Sequence, residues 1–373
     1  MEYTYLKDVC SITMGQSPES SSYNENGEGV PFFQGNADFG EVYPCVRVWS
    51  NEPKKMATAN DILISVRAPI GALNYAKEDC CIGRGLAAIT PSRKVNLKYI
   101  FYLLKAKNSE LNSKGTGSTF KAIGKSVLEE TLVPMLSLDE QDEIVSKIEC
   151  VESVIRKRRE QLIEFDNLIK SRFVEMFGKY YKEHINEKQL NEICDFIDYR
   201  GKTPEKAERG IPLITAKNVK DNKFYIEPQE FIPEENYATV MTRGIPRVND
   251  VLFTTEAPLG NVCRIPNVYE KFCVGQRLIT MQPHKEVLNS EYLEYALVSA
   301  EFQDKMWQKS SGSTVKGIRS KLLVLLTIPV PPIEMQNDFA VFVKQVDKLK
   351  FEVQKSLDET QTLMDSLMQQ YFG

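Results

Sequence analysis

Two loops carry the residue types best suited to chemistry. Gly117-Ser118-Thr119-Phe120-Lys121-Ala122-Ile123 recurs as Gly312-Ser313-Thr314-Val315-Lys316-Gly317-Ile318, a shift of 195 residues. Hydroxyls and a lysine behind a glycine suit an anion such as phosphate, or else structure their own loop. The neighbouring Gly124-Lys125-Ser126 carries the closing residues of a nucleotide P-loop, yet Thr119 stands where that loop needs glycine. The second copy reads Arg319-Ser320-Lys321 there, so no phosphate-transfer site is kept. With only His184 and His284, a Ser-His-Asp set is not credible. The Asn-Pro-Pro-aromatic and Asp-Pro-Pro-Tyr motifs of adenine methyltransferases are missing from the sequence. Glu52-Pro53-Lys54 offers a nuclease fragment with no identifiable carboxylate partner, and reads as a charged turn. The eight cysteines contain no Cys-x-x-Cys pair. Cys10 recurs as Cys194 and Cys81 as Cys273, which is how buried packing residues behave. No catalytic residue, metal site or cofactor is expected on this chain.

What repeats is therefore a scaffold. Leu6-Lys7-Asp8-Val9-Cys10 returns as Leu190-Asn191-Glu192-Ile193-Cys194, and Gly15-Gln16-Ser17-Pro18 as Gly201-Lys202-Thr203-Pro204. Gly29-Val30-Pro31-Phe32-Phe33 returns as Gly210-Ile211-Pro212-Leu213-Ile214, and Ala68-Pro69-Ile70-Gly71 as Ala257-Pro258-Leu259-Gly260. Short β-type runs at 61–66, 86–90, 251–255 and 278–281 are broken by Gly, Pro and Asn. One helical stretch per copy follows, at 96–105 and 290–298, then a closing strand at 131–134 and 323–329. Each block reads as an α/β (α+β) domain with a mixed sheet.

The rest of each copy is different in kind. Residues 138–177 and 333–372 contain no Gly or Pro. Ile148, Val151, Ile155, Leu162, Phe165 and Ile169 recur at alternating steps of three and four, with Arg158 and Arg172 as breaks. Val346, Val353, Leu357, Met364 and Leu367 do the same, with Lys350 and Thr360 as breaks. This is a coiled-coil seam, on rods of about 60 Å at ~1.5 Å per residue. Ser137-Leu138-Asp139-Glu140 fits a capping box. The copies read as 1–136, a first domain; 137–180, a central helix; 181–331, a second domain; and 332–373, a C-terminal helix. Each rod leaves its stripe unpartnered until it pairs with the other. An antiparallel pairing would put the blocks at opposite ends.

The net charge is −4, with 47 basic against 51 acidic residues, and the acidic excess sits on the helices. A generic electrostatic nucleic-acid binder is usually basic. DNA binding would need cations gathered on one face, or a partner supplying phosphate contacts. Apolar runs such as Leu322-Leu323-Val324-Leu325-Leu326 fall far short of the ~20 residues of a membrane span. The N-terminus lacks a signal-peptide core, so a cytoplasmic protein is expected.

Taken together, the two Gly-Ser-Thr-x-Lys-x-Ile loops, the helix starts Leu138-Asp139-Glu140-Gln141 and Ile333-Glu334-Met335-Gln336, and the rod endings at 173–178 and 367–373 resemble the specificity (S) subunit of type I restriction–modification enzymes. Met335 departs from the pattern, standing where the first copy has Glu140. The resemblance covers essentially the whole chain. It implies two tandem target recognition domains joined by two long antiparallel helices. Each domain would read one half of a split, asymmetric site on double-stranded DNA. The helices would set the gap and dock two methyltransferase subunits, and motor–nuclease subunits would join for restriction. S-adenosylmethionine, Mg and ATP would belong to those partners. The alternatives are a two-headed DNA or protein adaptor outside restriction, and a nuclease with an unrecognised site.

The resemblance also sorts the candidate contacts. Heads reading different sequences should differ in polar residues beside matching glycines and prolines. Gln34, Asn36, Arg67 and Arg84 in the first copy, and Thr215, Lys217, Gln276 and Arg277 in the second, meet that test as base readers. Arg67 faces Glu256. Ser118, Thr119 and Lys121, with Ser313, Thr314 and Lys316, are common to both copies and suit phosphate, as does Lys202.

Overall fold

The computed structural model describes residues 2–117, 121–199, 204–313 and 315–373. The chain divides into two compact units, one joining Met1–Arg159 to Gln354–Gly373 and the other formed by Glu160–Val353. Each holds one block and a part of both long helices.

In the first unit a four-stranded antiparallel sheet has the order Cys10–Met14, Leu86–Pro91, Ile62–Ser65, Leu73–Tyr75. Ile89 sits between Ile12 and Ile62. Ile62, Leu63 and Ile64 are all fully buried, which is why this run is continuously apolar rather than alternating. The second unit repeats the order with Cys194–Asp198, Leu278–Pro283, Val251–Thr254 and Val262–Arg264, and Met281 sits between Phe196 and Val251. A parallel pair beside each sheet makes the blocks mixed. Phe32 and Phe33 lie opposite Cys81 and Ile82; Leu213 and Ile214 lie opposite Cys273 and Val274. The closing strand of each block pairs with its opening strand: Leu132–Met135 with Glu2–Tyr5, and Thr327–Pro329 with Glu187–Gln189. In the second block that strand starts later than the 323 expected from sequence. Ser320–Leu323 is a helical turn instead, with the Leu323 N–H donating to Arg319 O at 3.0 Å.

The block helices are Leu97–Ala106 and Ser290–Val298. Asn96 caps the first by accepting from Lys98 N at 2.7 Å, and Asn289 caps the second by accepting from Glu291 N at 2.8 Å. The long helices run Leu138–Lys182 and Ile333–Phe372, the first continuing past Gly178. The capping box forms: Glu140 Oε2 accepts from Ser137 N at 2.8 Å, and Glu140 N donates to Ser137 Oγ at 3.3 Å.

All eleven seam residues are buried or half-buried, and the pairing is antiparallel within each unit. In the first, Arg158 donates to Ser356 O and Thr360 Oγ1, so two of the seam's polar breaks meet. In the second, the Lys350 ammonium contacts Asp166 Oδ1 at 2.6 Å, and Arg172 lies over the Phe342 ring. Arg158 and Thr360 thus satisfy one another across the seam, while Lys350 is paired by Asp166 on the facing helix. The Tyr99 ring lies tilted against Phe372 at 5.1 Å, and Tyr292 meets Phe177 edge-on at 4.8 Å. Phe372 is the repeat of Phe177. Each block helix therefore rests on the tail of the long helix from the other copy. A compact unit is a block with parts of two helices, not a single run of sequence.

Candidate nucleic-acid interface

In each block a line of backbone hydrogen bonds draws four distant segments to one rim. In the first, Gly85 N donates to Gln34 O at 3.1 Å, Val66 N to Gly85 O at 2.9 Å, and Ile123 N to Val66 O at 2.9 Å. In the second, Gly275 N donates to Ile214 O at 2.7 Å, Thr255 N to Arg277 O at 3.0 Å, and Ile318 N to Thr255 O at 3.0 Å. Thr116 and Ala122 exchange hydrogen bonds at 3.0 and 2.9 Å, and Ser311 and Gly317 at 2.9 Å both ways, so the repeated loops hang from equivalent anchors. Gly312 turns its loop at φ +118°, and a Cβ there would lie 2.0 Å from Val315 O. Gly15 lets its segment approach the rim, since a Cβ there would meet Gly83 O at 2.1 Å. The hydroxyl of Ser17 accepts from Arg84 N at 3.4 Å.

Gln34, Arg67, Arg84 and Lys121 are exposed along the first rim. Asn36 is half-buried and opens the short turn Asn36–Asp38. The equivalent turn is Ala216–Asn218. One extra residue, Gly35, puts Asn36 against Ala216 rather than Lys217. On the second rim Gln276 and Arg277 line an open cleft of about 360 Å³ with Glu256, Ser311, Val315 and Arg319. Lys316 and Ser313 are exposed on the adjoining loop. Thr215 is occupied with its own turn, donating from N at 2.9 Å and from Oγ1 at 3.1 Å to Asn218 Oδ1. Lys217 is drawn to Glu230 at 2.7 Å, which Lys206 also contacts at 2.8 Å. Burial works to raise the Glu230 carboxyl, but hydrogen bonds from Lys206 and Lys217 outweigh it and hold it below its usual value. Ser118, Thr119, Lys202 and Thr314 lie outside the described residues.

The rim presents donors and acceptors. Among the described residues no three His, Cys, Asp or Glu side chains converge on a metal position. Cys10, Cys81, Cys194 and Cys273 are buried, and burial pushes the Cys10 and Cys273 thiols up to about 12. No helix among the described residues is long and apolar enough to cross a membrane.

The family model for the type I restriction modification DNA specificity domain matches residues 1–164 and again 182–360, one match per copy. The chain belongs to the type I specificity subunit family. Such a subunit is the non-catalytic member of its complex. Relatives agree. The chain is 46% identical over 155 residues to the putative MjaX specificity subunit of Methanocaldococcus jannaschii, covering 40% of this chain but only 36% of that relative's length. It is 21% identical over 415 residues to the EcoBI specificity subunit of Escherichia coli, covering 98% of this chain and 84% of the relative. The crystal structure of the S subunit from M. genitalium shares the fold across 100% of this chain and 96% of that one, with a TM-score of 0.56 at 17% identity.

Two features of this family member escaped the sequence. Gln141 and Gln336 are fully buried joints between block and long helix. Their side-chain oxygens accept from Asn96 N at 2.8 Å and Asn289 N at 2.9 Å. Their matching position after each helix start was the available signal. Glu256, which the sequence set only opposite Arg67, lines the cleft.

Proposed function

We propose that each block reads one half of a bipartite, asymmetric DNA site. The paired helices set the gap between halves and dock two methyltransferase subunits, with motor–nuclease subunits joining for restriction. S-adenosylmethionine, Mg and ATP act in those partners. One observation carries this reading. Both blocks hold a similarly hydrogen-bonded rim, with Val66 and Thr255 in matching places, and the polar side chains on it differ between copies (Arg67 against Glu256, Arg84 against Gln276). A shared frame with varied edge groups is what two readers of different sequences require.

Complexes assembled with their methyltransferase subunits test it by methylation mapping. The expected result is one split motif with a fixed gap; scattered methylation would refute it. Lys121→Ala with Lys316→Ala should weaken binding to all sequences alike. Each lost phosphate contact should make the slope of log affinity against log salt shallower by about 0.9. A shift in sequence preference would assign these lysines to bases instead.

A further inference from the structure

We propose that Glu256 is a specificity-determining residue of the second block, accepting a hydrogen bond from the exocyclic amino group of a cytosine or adenine in the major groove. This rests on reading the blocks as DNA readers. Three observations lead to it. Arg67 and Glu256 occupy one position of the common frame, each bridged antiparallel to the repeated loop, at Ala122 and Gly317 respectively. Glu256 is exposed and lines the open cleft beside Gln276, Arg277 and Arg319. Arg277 Nε lies 3.3 Å from its Oε1.

A carboxylate among such cations has no use for phosphate, which it repels. It has only acceptor sites, about four on its two oxygens. Arg277 pairs with one oxygen in an exposed ion contact, leaving acceptor capacity on the other. In the major groove the donors are the amino groups of cytosine and adenine, and a glutamate's usual partner is cytosine N4. The same position in the first block holds Arg67, whose usual partner is guanine. One frame position with opposite charge therefore asks for opposite base-edge chemistry in the two half-sites.

The test uses the full chain assembled with its methyltransferase subunits and a DNA pool randomised in both half-sites. Wild type, Glu256→Gln, Glu256→Ala and Glu256→Arg are compared. Wild type should prefer cytosine or adenine at one position of one half-site, and which of the two it selects identifies the amino group. Glu256→Ala should lower that preference roughly 5- to 150-fold, with all other positions kept. Glu256→Gln, whose amide still accepts and usually pairs with adenine, should weaken a cytosine preference in the same place but keep an adenine one, and Glu256→Arg should turn the preference towards guanine. Unchanged preference in every variant overturns the proposal while leaving the recognition reading intact. So does loss of a guanine preference in Glu256→Ala, since Glu256 would then only hold Arg277. A wild-type complex without any sequence preference overturns both.

Discussion

Glu187 shows how much one side chain can tie together. It accepts from Thr327 Oγ1 at 2.9 Å and contacts Lys305 at 3.0 Å and His184 at 2.9 Å, joining the opening and closing strands of the second block. Burial alone would raise its carboxyl. Hydrogen bonds from His184, Lys305 and Thr327 prevail and lower it from 4.5 to about 2. A carboxyl depressed by folding stabilises the fold above its unfolded value, and that contribution fades as pH falls from about 4.5 towards 2. Wild type should therefore melt above Glu187→Gln at neutral pH, and the difference should shrink below pH ~4.5. A difference in melting temperature that stays constant down to pH 3 would refute this. The buried pair Gln141 and Gln336 works at the same scale: an amide both accepts from the block and donates to the chain just before its own helix, to Leu136 O at 2.9 Å and Pro331 O at 2.8 Å. An aliphatic side chain could fill that space but would leave the capping backbone N–H unpaired.

At the scale of elements, the block helix meets its long helix through an ion pair whose polarity is reversed between copies. Lys98 contacts Glu149 at 2.6 Å in the first unit. At the equivalent positions of the second, Glu291 contacts Lys344 at 3.5 Å. The second pair is more deeply set, because Glu291 also meets Arg264 at 3.2 Å, and Arg264 reaches Glu294 at 2.7 Å and Asp347 at 3.3 Å. The corresponding place in the first block holds a Tyr75–Phe101 stack at 4.6 Å. A block set on the wrong helix would put Lys98 against Lys344 and Glu291 against Glu149, which disfavours mispairing of the two copies. The Lys98 pair is half-exposed, so Lys98→Glu should cost only about 0.2–1 kcal/mol plus the new repulsion. Lys98→Glu with Glu149→Lys should restore the loss. Denaturant titration of the three proteins decides it, and a double variant no better than the single one would count against the pairing.

For the whole molecule, the reading that paired helices set the DNA gap makes a quantitative claim. Seven residues added to each long helix at matched points keep the seam in register. They add about 10.5 Å at ~1.5 Å per residue, or about three base pairs at 3.4 Å each. Methylation mapping should then show both half-sites unchanged and the gap longer by about three base pairs. An unchanged gap would mean that something other than helix length sets it.

The sequence alone determined what depends on periodicity and recurrence. The 195-residue repeat fixed two like blocks, and the three-and-four spacing of Ile148 to Ile169 fixed a buried helical seam, because burial on a helix must follow its turn. The capping box at Ser137 was equally local. Tertiary structure decided what lies between segments. Only the fold brings Gln34, Arg67, Arg84 and Lys121 to one rim, since strand pairing joins residues far apart in the chain. Only the fold removes Lys217 and Thr215 into local contacts with Glu230 and Asn218, and places Glu256 in the cleft. Polar side chains look alike in a sequence; their role depends on which partner the folded chain sets within reach.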